Sequence, residues 1–270
     1  MNIIVPVSGG KDSQVVLALA IENYSKKDIV CIHQNTGFDH PDTYQQLIDM
    51  STFYGVEIKH TVSKYKDMFG FLEKAKYFPN SAARGCTQRL KQEPFAKWLK
   101  DCGFNKDNSL ILFGMRSDES SARNTKYGSI NQEDTFSLGN ISAFYSNKNN
   151  SVIGDICCKL PIVTWTTENV FDFLIASGAP INPLYIKGHH RVGCYPCLLA
   201  RKSEWELAGA DPIGKLHIER LIALEDMWKK EKNPRKFIKV HRNWDVRKFI
   251  NGNPDDVVED VDHECGYCSI

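Results

Sequence analysis

The chain has 270 residues, of which 42% are hydrophobic and 25% are charged, and its formal net charge is +1. This composition fits a soluble globular protein with a real core, and the balanced charge does not indicate nucleic acid or an anionic membrane as partner of the whole molecule. Because no apolar stretch approaches the roughly 20 residues that span a bilayer and no signal-type segment begins the chain, we expect a cytoplasmic protein without a membrane partner.

Strand-like and helix-like segments alternate along the chain. A short β-branched run at residues 3–7 is followed by a glycine turn and then by helical spacing. The further predicted strands are 28–33, 56–60, 109–114 and 155–162, and the predicted helices are 14–24, 41–54, 91–101 and 166–177. This alternation predicts a doubly wound α/β fold with a parallel sheet and right-handed crossovers.

The later segments are less regular. Residues 124–150 are polar with little periodicity, which predicts a long loop or lid that could be mobile. Residues 216–231 predict an amphipathic helix, and residues 229–248 concentrate basic side chains among aromatic ones. That basic stretch could hold nucleic acid or form a solvated helical face. We therefore divide the chain into an α/β domain, 1–200, and a cysteine-rich, partly helical C-terminal extension, 201–270.

The hexapeptide SGGKDS lies between the first predicted strand and the first predicted helix. Such a turn presents backbone N–H groups and the positive end of a helix dipole to an anion. Ser8, Gly9 and Gly10 permit close approach, Lys11 adds a positive charge, and Ser13 can cap the helix or touch a phosphate oxygen. The spacing matches neither the Walker sequence nor the dinucleotide fingerprint.

Cationic side chains follow several of the predicted strands, at the edge where open parallel sheets bind ligands. They are Arg84, Arg89, Lys91, Arg116 and Arg123. A sulfate or phosphate needs several such donors. Arg89 and Lys91 could instead form a solvated helix face. The cluster of Arg116 and Arg123 with Asp118 and Glu119 is poorly explained by packing, and we predict that it contacts the anion.

Nine cysteines in a reducing compartment are more consistent with metal binding, catalysis or burial than with a disulfide framework. Cys194 and Cys197 form one CxxC pair, and Cys265 and Cys268 form another near the C-terminus. Two such pairs indicate a metal or a cluster, with redox chemistry at the first pair as an alternative. The adjacent cysteines at 157–158 lie in a predicted strand, so they should face opposite ways within the core.

The hexapeptide SGGKDS resembles the PP-loop of the adenine nucleotide alpha hydrolase superfamily, whose members cleave ATP between its α and β phosphates or bind an adenylyl sulfate. Four further stretches resemble successive blocks of the phosphoadenosine phosphosulfate reductase family, namely NTGFDHPDTY, FPNSAARGCTQRLKQEPF, GMRSDESSAR and PLYIKGHHRVGCYPC. Together these blocks cover most of residues 1–200. The resemblance implies an adenine nucleotide site, at which we also place Asp12, Asn35 and Thr36.

The resemblance also implies an iron-sulfur cluster. Assimilatory adenylyl sulfate reductases of this family bind four irons with an adjacent cysteine pair and a CxxC. The block that should carry the pair has one cysteine here, Cys86, followed by Thr87. We therefore predict a ligand set completed from the tail: Cys86, Cys194, Cys197 and Cys268. Zinc is the alternative metal, because all-cysteine ligation allows both.

The tail sequence HECGYC resembles the ECGxH tail of the sulfonucleotide reductases. In that family the tail thiolate attacks sulfur, forms an S-sulfocysteine and is resolved by thioredoxin, which would make Cys265 the nucleophile. Cys268 stands where the family has histidine, so both tail cysteines could instead be metal ligands.

These features predict a reductase that converts adenylyl sulfate, or its 3′-phosphorylated form, to sulfite. Cys265, Lys11 and Asp12 would be catalytic, with a thioredoxin-like electron donor. The alternative is an ATP-dependent sulfurtransferase acting on DNA or tRNA. In it Asp12 would help place a magnesium ion, and an iron-sulfur cluster with one loosely held iron would deliver sulfur. The intact SGGKDS suits pyrophosphate and favours this alternative. A third hypothesis is a non-catalytic nucleotide sensor with a structural zinc. An oligomer is compatible with the sequence.

Overall fold

The computed structural model describes residues 1–80, 84–231 and 245–251. Six strands in these residues form a single sheet. They are β1 (Asn2–Pro6), β2 (Ile29–Asn35), β3 (Ile58–Val62), β4 (Ser109–Leu112), β5 (Phe136–Ser137) and β6 (Cys157–Lys159).

The strands lie in the order β3-β2-β1-β4-β6-β5. All neighbouring pairs are parallel except β5 with β6, which is antiparallel. The chain builds outward from β1 through β2 to β3 and then returns to the other side of β1 at β4. This reversal is the topological switch point at which open α/β sheets bind ligands. The predicted doubly wound fold is confirmed.

Helices connect the strands and cover the sheet. In chain order they are α1 (Lys11–Asn23), α2 (Pro41–Tyr54), α3 (Met68–Ala75), α4 (Glu93–Asp101), α5 (Ser121–Tyr127), α6 (Leu138–Ile141), α7 (Ser151–Gly154), α8 (Thr167–Ala176), α9 (Pro183–Ile186), α10 (Lys202–Ala210), α11 (Pro212–Lys230) and α12 (Val246–Asn251). A π-helical turn, Thr87–Gln92, precedes α4. The side chain of Thr166 caps α8 by accepting the N–H of Asn169, as predicted for that threonine.

Both faces of the sheet are buried, which explains why the central strands are continuously apolar. In β1, Ile3 and Val5 pack into the core on one face, and Ile4 packs into the core on the other. Cys157 and Cys158 also point to opposite cores, so the prediction for this pair is confirmed. Strand β6 is shorter than predicted because Pro161, which cannot donate to a ladder, lies just beyond it.

The polar stretch 124–150 is not the long loop or lid that we expected. It contains the end of α5, strand β5 and helix α6, and Leu138, Ile141 and Tyr145 are fully buried in it. Ser137 and Asn140 form a capping box that begins α6. The hydrophobic periodicity of residues 124–150 is weak because each of their short elements buries only one or two apolar side chains.

The described part of the extension packs on the α/β layers. Trp205 of α10 and Trp228 of α11 are fully buried in a core that includes Phe38 and Phe69. The predicted helix at 216–231 is the main part of α11. Most of the basic stretch, and both tail cysteines, lie outside the described residues, and the boundary at residue 200 stays a prediction. Among the described helices, none combines the length and apolarity needed to cross a bilayer.

Candidate functional site

The glycine loop between β1 and α1 lies at the switch point and has a fixed shape. Gly9 has φ +74°, and a Cβ there would lie 2.8 Å from Cγ2 of Thr43. The hydroxyl of Ser13 accepts the N–H of Ser8 at 3.1 Å and donates to the carbonyl of Gly10 at 3.0 Å. Because these bonds close the loop on itself, its remaining N–H groups are held at the start of α1.

The end of β4 touches the start of α1 across the switch point. A Cβ on Gly114 would lie 2.9 Å from the carbonyl carbon of Asp12 and 2.9 Å from the amide nitrogen of Ser13. Only a residue without a side chain allows this approach. The contact therefore brings the charged residues after β4 to the glycine loop.

Arg116 makes the principal polar connection between these two segments. Its side chain is 1% exposed, and its Nε donates to Oδ1 of Asp12 at 2.6 Å. The guanidinium also donates to the carbonyl of Trp165 at 3.1 Å, to the hydroxyl of Thr167 at 3.0 Å and to Oδ2 of Asp118 at 3.3 Å. Four acceptors fix its orientation, so Arg116 positions Asp12.

Lys11 and Asp12 form a partly neutralised pair at the N-terminus of α1. Lys11 is 5% exposed, and its Nζ lies 3.2 Å from Oδ2 of Asp12 and 3.5 Å from the carbonyl oxygen of His190. Burial lowers the pKa of Lys11, although the Asp12 carboxylate opposes this shift. Burial would raise the pKa of Asp12, but the neighbouring Lys11 and Arg116 outweigh it and lower that pKa. Asp12 is therefore a carboxylate at neutral pH.

A small cavity of about 30 Å³, the PP-loop cavity, opens beside this pair. It has room for about two water molecules. Glu119, at its wall, pairs with the buried Arg123 and lies 3.9 Å from Arg191. The residues that line the cavity are Ser8, Gly10, Lys11, Asp12, Ser13, Gly114, Glu119, Tyr185, Arg191 and Val192. Backbone N–H groups, cationic side chains and two carboxylates thus meet in one small polar space, which suits a small anion.

Several predicted nucleotide ligands lie away from this cavity. Thr36 donates to Oδ2 of Asp39 at 2.9 Å, and Asn35 accepts the hydroxyl proton of Tyr44 at 2.9 Å. Arg89, with its side chain 42% exposed, pairs with Glu93 on the same helical segment. The remaining predicted residues outside the cavity lining are Gly9, Arg84, Lys91, Arg116, Asp118 and Arg123. The contribution of all these residues to nucleotide binding stays a prediction.

Cys86, Cys194 and Cys197 lie in one region beside the loop that follows β2. Burial raises the pKa of Cys86 to about 11, with a further contribution from Cys197. Burial, together with the charges of Asp39 and Cys197, also raises the pKa of Cys194 strongly, while Lys91 opposes the shift. Asp39 and Cys194 form an isolated β-bridge, which fixes the first CxxC against this loop.

The predicted metal ligands do not form a metal site in the part of the chain that the structure describes. Within residues 1–80, 84–231 and 245–251, no three or more His, Cys, Asp or Glu side chains are arranged to hold a metal ion. Cys265 and Cys268 lie outside these residues. An iron-sulfur or zinc site at Cys86, Cys194, Cys197 and Cys268 therefore stays a prediction from the resemblance.

Sequence reasoning missed two residues that contact the glycine loop, Asn182, which caps α9, and Tyr185 within α9. The amide of Asn182 donates to the carbonyl of Gly9 at 3.1 Å, and the hydroxyl of Tyr185 accepts the N–H of Lys11 at 2.9 Å. Tyr185 lies in a stretch that carries the family resemblance, which was the available signal. Nothing in a tyrosine or an asparagine indicates a contact with a loop more than 170 residues earlier.

The strand order and the glycine loop at the switch point define a doubly wound α/β fold that carries the PP-loop sequence SGGKDS after its first strand. Residues 2–200 match the phosphoadenosine phosphosulfate reductase domain. Because this match covers well over half of the chain, the protein belongs to the phosphoadenosine phosphosulfate reductase family. The family predicted from the sequence is confirmed.

Individual relatives are distant. An uncharacterised protein of Methanocaldococcus jannaschii is 30% identical over 197 residues, which are 72% of this chain and 36% of that protein. The adenosine 5′-phosphosulfate reductase of Burkholderia cepacia is 26% identical over 182 residues, 65% of this chain and 62% of the reductase. This chain therefore spans between about a third and two thirds of these two relatives.

A solved structure has the same fold. The phosphoadenylyl-sulfate reductase of Candida auris, in a phosphate complex, superposes with a TM-score of 0.52 at 18% identity, covering 72% of this chain and 82% of that one. At this identity the likeness establishes the fold alone.

Proposed function

We propose that the protein binds ATP in the PP-loop cavity and cleaves it between the α and β phosphates to activate an acceptor for sulfur transfer. The observation that carries the proposal is the presence of two carboxylates, Asp12 and Glu119, in the lining of the cavity that also contains Lys11. Family membership supports an adenine nucleotide as the ligand.

The two carboxylates favour ATP over a sulfate ester. A sulfate that enters without a metal ion adds negative charge next to Asp12 and Glu119. The phosphates of ATP arrive with Mg²⁺, which uses one or two protein carboxylates together with phosphate oxygens and water. Asp12 and Glu119 are donors of this kind, and each would exchange one of its present cationic partners, Lys11 for Asp12 or Arg123 for Glu119, to hold the ion. When bound, Mg²⁺ would neutralise charge on the phosphates.

The residues of the chain have separate roles in this proposal. The loop N–H groups and Lys11 bind the β and γ phosphates, and Arg116 keeps Asp12 oriented through its 2.6 Å bond. A nucleophilic atom of the acceptor attacks the α phosphorus, and the bond to the bridging oxygen breaks. Pyrophosphate leaves with that electron pair, and AMP stays attached to the acceptor. The basic stretch 229–248 favours DNA or tRNA as the acceptor.

The second candidate is the reductase that the sequence favoured, and the identity to the Burkholderia cepacia reductase supports it. The thiolate of Cys265 would attack the sulfur of adenylyl sulfate, AMP would leave, and an S-sulfocysteine would form. A thioredoxin-like dithiol would then reduce this bond, release sulfite and become a disulfide.

Product analysis separates the candidates. Pyrophosphate release from MgATP, with and without DNA or tRNA, and sulfite release from adenylyl sulfate with reduced thioredoxin are measured on the wild type, Asp12→Asn and Cys265→Ser. We expect pyrophosphate from the wild type and Cys265→Ser but not from Asp12→Asn. If the wild type releases sulfite but no pyrophosphate, and Cys265→Ser releases no sulfite, the protein is the reductase. Tight ATP binding without either product would leave the nucleotide sensor.

A further inference from the structure

Tyr185 lines the PP-loop cavity, although it is neither charged nor part of the glycine loop. Its hydroxyl oxygen accepts the N–H of Lys11 at 2.9 Å and would lie 3.2 Å from a Cβ on Gly10. The Nζ of Lys11 lies 5.1 Å from the centre of its ring. The hydroxyl therefore occupies the place at the start of α1 where an anion would take the first helical N–H.

The hydroxyl keeps its proton at neutral pH. Burial raises the pKa of Tyr185 well above its ordinary value, and the negative charge of Asp12 adds to this shift. Since the oxygen accepts from Lys11, the O–H group is left to donate. Among the described residues the structure shows no acceptor for this proton, and the cavity lies directly beside it.

We propose that the Tyr185 hydroxyl is a further ligand of the anion in the PP-loop cavity, accepting from the N–H of Lys11 and donating to a phosphate or sulfate oxygen. The inference rests on the proposed anion site and is independent of which nucleotide supplies the anion. Because one hydrogen bond polarises the next, the hydroxyl passes the effect of the helix N-terminus on to the ligand.

The surroundings hold the ring in place without using the hydroxyl. Phe171 of α8 packs edge to face on the Tyr185 ring, with 5.3 Å between the two ring centres. The side chain of Asn182 caps α9 by accepting the N–H of Leu184 at 3.0 Å. Tyr185→Phe should therefore keep the ring where it is and remove one oxygen. Tyr145→Phe is the matched control, because Tyr145 is fully buried in a core away from the cavity and its hydroxyl has no partner among the described residues.

Isothermal titration of the full chain with inorganic pyrophosphate plus Mg²⁺, and separately with sulfate, tests the inference. We expect Tyr185→Phe to bind at least one anion roughly 10-fold or more weakly, because a hydrogen bond to a charged group is lost. Tyr145→Phe should bind as the wild type does. Thermal unfolding of both variants checks that the fold is retained.

The outcomes distinguish this inference from the proposed function. Unchanged affinity in Tyr185→Phe would overturn the inference and leave the anion site intact. Tighter binding would also overturn it, since the hydroxyl would then be blocking the N–H of Lys11. A wild type that binds neither anion would overturn the anion site itself, and this inference with it.

Discussion

The carboxylate of Glu204, in the C-terminal extension, binds His189 and His190 beside the wall of the PP-loop cavity. Its Oε2 lies 2.6 Å from Nδ1 of His189, and its Oε1 accepts the N–H of His190 at 2.8 Å. Glu204 belongs to α10, whereas the carbonyl oxygen of His190 lies 3.5 Å from Nζ of Lys11, and Arg191 lines the cavity. The extension therefore helps to hold one wall of the site.

Replacing Glu204 should weaken anion binding as well as the fold. In Glu204→Gln the amide cannot accept as strongly from His189, so we expect a loss of about 1–3 kcal/mol in the free energy of unfolding. Pyrophosphate binding should weaken because the 189–192 segment is less well held. Denaturant unfolding and calorimetric titration measure both effects. Glu206→Gln, on the same helix with its side chain 58% exposed, is the control. An equal effect in both variants would contradict the prediction.

The same carboxylate should make stability depend on pH in the acid range. Partial burial opposes ionisation, but hydrogen bonds from His189 and from the N–H of His190 lower the pKa of Glu204 overall. A lowered folded pKa contributes stability above the unfolded value of about 4.3, and this is lost as pH falls through the folded value. The difference in unfolding free energy between wild type and Glu204→Gln should therefore shrink from pH 6 to pH 3. A constant difference would argue against it.

Arg116 should be the most costly of the predicted anion ligands to replace. Arg116→Ala leaves Asp12 without its 2.6 Å partner, and breaking a buried ion pair costs about 3–5 kcal/mol. Arg116→Lys should also be destabilised, because a single ammonium cannot reach the same four acceptors. Arg89→Ala should cost at most about 1 kcal/mol, since its side chain is 42% exposed. Urea unfolding of the three variants tests this order, and equal costs would refute it.

Most of the sheet and its helices could be predicted because each carries a strong local signal. The helix predicted at 41–54 has the observed bounds, and Thr166 caps α8. Strand β3 begins two residues later than predicted. The structure of residues 124–150 could not be predicted. Its one strand pairs through only two residues, and its few buried apolar side chains are too widely spaced to give a hydrophobic periodicity.

The candidate site was predictable only in its local part. The hexapeptide SGGKDS identified the loop because loop, charge and helix start are neighbours in sequence. The contacts made by Asn182, Tyr185 and Glu204 depend on how distant segments pack, which no short pattern encodes. The sequence allowed Arg89 to form a solvated helix face and set the Arg116 cluster apart, and the structure leaves the Arg89 side chain 42% exposed on a helix. The partner of the buried Arg116, Asp12, lies more than 100 residues away in sequence and could not be named in advance.

A methyl group at Gly114 should disrupt the site. In Gly114→Ala the new Cβ would lie 2.9 Å from backbone atoms of Asp12 and Ser13, and the start of α1 would have to move. We expect a loss of about 1–3 kcal/mol in stability and much weaker pyrophosphate binding. Gly193→Ala is the control, because nothing lies within 4 Å of a Cβ there. Titration and thermal unfolding of both variants decide the matter, and intact binding in Gly114→Ala would show that the close approach is unnecessary.

Anion binding should draw a proton onto Lys11 in alkaline solution. Burial lowers the pKa of Lys11 below its usual value of about 10.4, so a fraction of the free protein loses this charge as pH rises, and a bound anion restores it. Tyr185 should not titrate in this range, because burial raises its pKa. Sulfate carries no titrating proton in this pH range, so a change in its affinity reports on the protein. We expect sulfate affinity to fall as pH rises. Calorimetric titration in two buffers of different ionisation enthalpy measures the proton uptake that accompanies binding. Lys11→Met should lose the uptake, whereas Lys97→Met, with a side chain 76% exposed, should keep it. Proton uptake that persists in Lys11→Met would assign the titration to another group.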